Sequence, residues 1–377
     1  MPHWSKTVLL LGAAAALAAC ASSVEPGKKQ SPAESPPAEW TARILYESDA
    51  TIWSLFVADL LPPVAGPEVV VMDDRGRAAL LESRGEGPAH WWLTMDGLWL
   101  GAAAFGDVDR ARPGGELYLA GGRGNVYQVV ALGQGGFECR AVWFVPDEIH
   151  ALLLDEVVPH NPGPDLLACT LEGKIFLLTP GGGGDLWRGS LLHQDPGRVR
   201  NVVAHDFLPE LDGKEIVYVS KSGRLVLLGW RDGELEERII YEDAQGLARV
   251  ALGRATSGGT PPVYTAGDDG RIRRFAPDAS GLWHSEVIYE FPDEARGVAV
   301  GHFTNDARTE CVAVFGYSRE VVVLERKVGG DRFQPTTIFT DSDKGHWLTA
   351  ADLDLRNAYD EILICGYSGR VTLLTRR

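Results

Sequence analysis

The sequence predicts an all-β protein, a seven-bladed β-propeller of four-stranded blades. Three observations carry this. One phrase recurs seven times: an apolar run, a polar loop, an acid, an apolar strand, a tight turn and a second apolar strand. Anchored on the residue before each unit's third strand, the repeats fall at Gly76, Gly124, Gly173, Gly223, Gly270, Arg319 and Gly369, spaced by 48, 49, 50, 47, 49 and 50 residues. Six of these seven anchors are glycine, as a hairpin turn with positive φ requires. Each unit also holds a fourth strand-like run that usually begins with an aromatic residue, as in Trp283 to Tyr289. Four strands in such a period, repeated radially, is the signature of a propeller.

Taken in order, the chain opens with a segment outside the fold. Lys6 supplies a short positive region, and Thr7 to Ala18 is apolar but too short for a permanent membrane span. Residues 1–19 therefore read as a signal peptide. Leu17-Ala18-Ala19-Cys20 resembles the lipobox of bacterial lipoproteins. That resemblance implies cleavage before Cys20 and acylation of its sulfur, with palmitate among the expected chains. Ala21 in place of aspartate leans toward the outer membrane of a Gram-negative cell envelope. Residues 20–38 are rich in Pro, Ser, Ala and Lys without periodicity, and read as a disordered tether.

Residues 39–377 are the propeller. The seventh repeat ends with its third strand at Arg377. Residues 40–46 share the aromatic start and Ile/Leu/Tyr finish of a fourth strand, so they are expected to complete the last blade and leave no open seam. An Asp precedes five of the seven anchors by about 17 residues (Asp59, Asp107, Asp155, Asp206, Asp352) and is expected to cap the following turn. A second acid opens the next strand at Glu68, Glu116, Asp165, Glu215, Glu310 and Glu361. Cys139, Cys169, Cys311 and Cys365 read as small buried hydrophobes rather than a disulfide framework.

The repeat phrase resembles FG-GAP/VCBS repeats, with Asp352-Leu-Asp354 leading into Asp360-Glu-Ile-Leu-Ile-Cys-Gly-Tyr-Ser-Gly-Arg-Val as its fullest form. The resemblance implies a seven-bladed propeller and, in many members, Ca²⁺ in the loop after the first strand. Only Asp107 with Asp109 and Asp352 with Asp354 keep the first two acids of that loop, so these are weak candidates and no cofactor is expected. The Gly-His…Trp-Asp signature of WD40 repeats and the docking motif of quinoprotein propellers are both missing from the sequence.

The formal net charge of −16 argues against nucleic acid as a partner. Against that acidic background, the loops leading into the innermost strands and the hairpin turns gather cations and aromatics: Trp53, Trp99, His150, Arg200, Arg249, Arg296, His346 and Trp347 from the former, Tyr317, Arg319 and Tyr367 from the latter. Both sets belong on one face, at the channel mouth. Guanidinium groups suit a carboxylate or phosphate, and aromatic faces suit a ring. A competing reading pairs the arginines with the acids of the same loops, Asp195, Asp243, Asp293, Asp341 and Asp343. No catalytic motif with established mechanics occurs. The expectation is thus a monomeric, lipid-anchored propeller that binds an anionic or sugar-like ligand, or a protein partner, without chemistry. The alternative is a carbohydrate-active enzyme, a lyase or sugar dehydrogenase, at the same mouth.

Overall fold

The computed structural model describes residues 37, 39–61, 66–82, 90–108, 114–132, 136–159, 161, 163–181, 186–254, 259–278, 280–304, 309–327, 329–355 and 358–377. The expected signal peptide, Cys20, most of the expected tether and Asp109 lie outside them. Twenty-eight strands form seven antiparallel four-stranded sheets, and no helix occurs among the described residues. The innermost strands are Ile52–Ala58, Leu100–Gly106, Ile149–Asp155, Val199–His205, Leu247–Leu252, Ala295–Val300 and Gly345–Ala351, one in each of blades 1 to 7. Each contacts the next, and the seventh contacts the first, closing the ring.

Trp40–Glu47 is the outer strand of blade 7, antiparallel to Arg370–Arg376, with Trp40 opposite Arg376 and Glu47 opposite Arg370. The ring is closed by the two ends of the propeller sequence, as expected. Trp40 is buried in a core cluster with Phe303, Phe315, Ile338 and Leu374, so the closing strand also contributes to the packing between blades 6 and 7. The second strand of each blade is almost wholly buried, for example Glu68–Asp73 and Glu361–Gly366. That is why these strands read as continuous apolar runs.

All seven anchors have left-handed backbone, with φ between 69° at Gly369 and 86° at Gly223. A Cβ added at Gly124 would lie 2.0 Å from the Val145 carbonyl oxygen, so both φ and space select glycine there. Arg319 occupies the same position in blade 6 at φ 73° and supplies the one exception. Each anchor carbonyl accepts an N–H from the connection between the outer strand and the next innermost strand, as in Asp195 N to Gly173 O and Asp341 N to Arg319 O. Two residues before each anchor, the turn donates an N–H to the preceding connection, the one that leads into its own blade, as in Asp268 N to Gly246 O and Tyr317 N to Glu294 O. These paired bonds hold the hairpin turns and the connections on one face.

The capping expectation needs correction. The loop after the innermost strand is held mainly by the acid that opens the second strand. Glu68 accepts from Leu60 N and Leu61 N, Asp165 from Val157 N and Val158 N, Glu215 from Phe207 N and Leu208 N, and Glu361 from Leu353 N. The buried position of this acid explains its role. Of the earlier Asp column, Asp352 accepts Leu355 N as expected, and Asp155 accepts Glu156 N while also pairing with Lys214. Blade 5 has no such acid, and a Gly253 N to Pro262 O bond takes its place. The four cysteines are unpaired, three buried and Cys139 partly exposed.

Candidate binding site at the channel mouth

Every innermost strand starts with a β-bulge at the same register position. The bulged residues are Trp53, Gly101, His150, Arg200, Ala248, Arg296 and His346. A bulge turns its extra side chain out of the normal alternation. Here it delivers one residue per blade to a single level of the mouth. Residues one step beyond it, Arg249 in blade 5 and Trp347 in blade 7, extend the same level.

The mouth divides into two arcs. One is aromatic and runs through blades 7, 1, 2 and 3. The His346 ring stands on Trp53 with centroids 4.3 Å apart, Trp53 lies 5.9 Å from Trp99, and Trp99 lies 4.7 Å from His150. The other arc is cationic and runs through blades 4, 5 and 6. The Nη1 atoms of Arg200 and Arg296 both donate to Asp268 Oδ1, at 2.8 and 2.9 Å, while Lys221 Nζ reaches Asp268 Oδ2 at 2.6 Å. Burial alone would raise the Asp268 carboxyl, but these cations outweigh it and hold the group below its usual range. Arg296 also pairs with Glu294 and lies 4.9 Å from the Tyr317 ring. Tyr317 and Tyr367 share a hydrogen bond of 3.2 Å. Burial and this neighbour raise the Tyr367 phenol.

Arg249 stands apart. Its guanidinium lies 4.3 Å from the Trp347 ring centroid and donates to the Ala248 carbonyl at 2.8 Å. Among the described residues it has no carboxylate partner. Burial, with Arg296 and Arg200 nearby, pushes its pKa from 12.5 to about 9. The two histidines are also held neutral. Burial and the Arg198 charge push His150 down to about 4 despite Glu148 beside it. Burial and Arg249 push His346 well below its ordinary value, and His346 Nδ1–H is spent on the Trp53 carbonyl at 2.6 Å.

Polar atoms left over at this level are mostly donors. Trp53 Nε1, Arg198 Nε, Arg249 Nε and Arg296 Nε are buried without an acceptor. A buried donor without a partner costs about 1–3 kcal/mol, so this face is short of acceptors.

Sequence reasoning identified the columns but not the partners. The acids of the connections do not neutralise Arg200 or Arg249. Asp268, from a hairpin turn, is the common counter-ion of Arg200 and Arg296. Arg319 does not join either arc through a hydrogen bond or ion pair among the described residues; its place is the strained turn. Asp352, Asp354 and Glu361 lie together, with ligand atoms within 4.8 Å of one another, but Glu361 is already engaged by Leu353 N–H. Asp107 belongs to a different blade, beside the undescribed Asp109.

Below the mouth, the channel forms a partly open cavity of about 240 Å³. Its wall is mainly apolar, from Leu55, Phe56, Ala103, Phe105, Leu153, Leu154 and Val202, with Ser54, Asn201, His150 and Trp347 toward the mouth.

No protein-family model matches the chain, and no curated protein matches it. Solved structures do. The WD40 β-propeller domain of Doa1 is 10% identical with a TM-score of 0.61, covering 89% of this chain and 96% of that one. BBS1N, solved in complex with ARL6DN, is 14% identical with a TM-score of 0.60, covering 88% and 94%. The Cps50 (Swd1) β-propeller domain of Myceliophteria thermophila is 15% identical with a TM-score of 0.59, covering 89% and 100%. At these identities the likeness is one of fold.

Proposed function

We propose that the chain is a lipid-anchored cell-envelope lipoprotein whose propeller binds an anionic group of a ligand or partner at the channel mouth, without chemistry. The excess of buried, unsatisfied donors beside one shared carboxylate carries this reading. Arg198, Arg200, Arg249, Arg296 and Lys221 face Asp268, Glu148 and Glu294, and the surplus sits where a carboxylate or phosphate could accept from several guanidinium N–H groups at once. The BBS1N structure shows a propeller of this shape in complex with another protein. A protein partner presenting an acidic side chain or terminus would meet the same chemistry.

The test is titration of the full chain with simple anions, acetate and inorganic phosphate, followed by calorimetry. Saturable binding that is lost in Arg249→Gln supports the reading; no binding of either anion by the wild type refutes it. The anchor is tested separately by labelling cells with a tagged palmitate. Cys20→Ala should abolish incorporation.

A carbohydrate-active enzyme is the second reading. The observation favouring it is the pair of neutral histidines at the mouth, His150 and His346, the latter with its ring 6.2 Å from that of Tyr367. A neutral imidazole can act as a base. Against it, His346 Nδ1 is fixed on a carbonyl and His150 Nε2 lies 3.4 Å from Arg198 Nη1.

A further inference from the structure

The channel offers the anionic ligand more than a mouth. Trp347 and His150 belong both to the arcs and to the cavity wall, so the cationic level opens directly onto apolar space. Arg249 lies against Trp347, at the junction of the two. A cavity lined this way does not favour a second charge, because burying an unpaired ion is costly. At about 30 Å³ for each water-sized group, 240 Å³ has room for about eight such groups. A methylene is close to that size.

Resting on the anion-binding reading above, we propose that the ligand is a carboxylate with a linear apolar chain of medium length, its head on Arg249 and Arg296 and its chain in the channel past Ala103. The excess donors recognise the head. Leu55, Leu153 and Leu154 shelter the chain from water. The aromatic arc covers the opposite side of the entrance.

The experiment uses the full chain and four probes by calorimetry: sodium acetate, sodium butanoate, sodium octanoate and octan-1-ol. Each methylene withdrawn from water is worth about fourfold in affinity, so three buried groups give about sixtyfold. Octanoate should bind at least about thirtyfold more tightly than acetate, with butanoate between them. Octan-1-ol should bind at least about tenfold more weakly than octanoate, and Arg249→Gln should remove most of that difference. Ala103→Leu should reduce octanoate binding to near the acetate level while leaving acetate binding intact, which also shows that the variant is folded. If acetate and octanoate bind equally, the chain site is refuted and the anion reading survives. If octan-1-ol matches octanoate, the head assignment fails. If no carboxylate binds, this proposal falls, and the inorganic phosphate titration then decides the anion reading.

Discussion

Replacing Arg249 by methionine should make the protein more stable while removing its affinity for anions. Methionine keeps a long flexible chain against the Trp347 ring, so packing is largely preserved. What is lost is a charge held in poor surroundings. Moving a guanidinium from 12.5 to about 9 corresponds to a ceiling of about 5 kcal/mol at about 1.36 kcal/mol per pH unit. Arg249 keeps some solvent contact and gains about 1–2 kcal/mol by stacking on Trp347. The net gain from Arg249→Met is therefore about 1–2 kcal/mol. Urea unfolding at pH 7 measures it as a higher midpoint at unchanged slope. Arg200→Met is the contrasting variant. It leaves Asp268 buried with one partner fewer, so it should cost about 2–3 kcal/mol. For this reason, replacing Arg200, Arg249 and Arg296 together would confound stability with binding, and Arg249 alone is the informative change. Loss of more than about 1 kcal/mol in Arg249→Met would refute the argument and make Arg249 part of the structural rim.

Four further outcomes follow. Deleting Trp40–Glu47 removes a buried Trp and exposes the Arg370–Arg376 edge, so a chain beginning at residue 48 should lose at least about 4 kcal/mol or fail to fold; differential scanning calorimetry decides. Burial raises the Glu215 carboxyl to about 7, against the opposing pull of Phe207 N–H and Leu208 N–H. The folded state then holds a proton that the unfolded state has lost, so this group's contribution falls as pH rises from about 4.5 to about 7; Glu215→Gln should flatten that part of the stability–pH curve. Arg319→Gly should stabilise by about 1 kcal/mol through relief of its positive φ, whereas Gly173→Ala should cost more than about 2 kcal/mol, because the new Cβ meets the Asp195 carbonyl at 2.2 Å; thermal melts measure both. Millimolar Ca²⁺ should leave the melting temperature unchanged, since Asp352, Asp354 and Glu361 provide too few free oxygens.

The fold was legible because its geometry imposes a residue type at fixed intervals. The anchors need φ > 0 and a missing Cβ, so glycine recurs, and even Arg319 adopts the backbone that its column demands. The acid opening the second strand was legible as a column, but its task was not. A sequence does not show which of two neighbouring acids will reach back to a loop N–H, and burial of the second strand decided it. In blade 6 the pattern breaks across blades: Glu310 turns to Arg274 and Arg326, and His302 N–H bonds Asp360 of blade 7. Such exchanges depend on the lateral packing of sheets and leave no mark on the repeat.

The mouth follows the same division. A repeat alignment gives each side chain its height along the channel, which is why Trp53, His150, Arg200, Arg296 and His346 could be grouped. It does not give partners around the ring. Asp268 meets Arg200 from 68 residues away and Arg296 from 28, and it serves both because the hairpin turn of blade 5 projects between blades 4 and 6. Elsewhere in the molecule, buried cations are matched locally, as Arg273 is by Asp269 and Asp243. At the mouth Arg200, Arg296 and Lys221 share Asp268, Arg296 also pairs with Glu294, and Arg249 has neither. A rim that served only to rigidify the blades would gain from one more acid near Arg249. The sequence places Ala248 and Val250 beside it instead, and Trp347 against it, which leaves the half-buried guanidinium unneutralised until something enters.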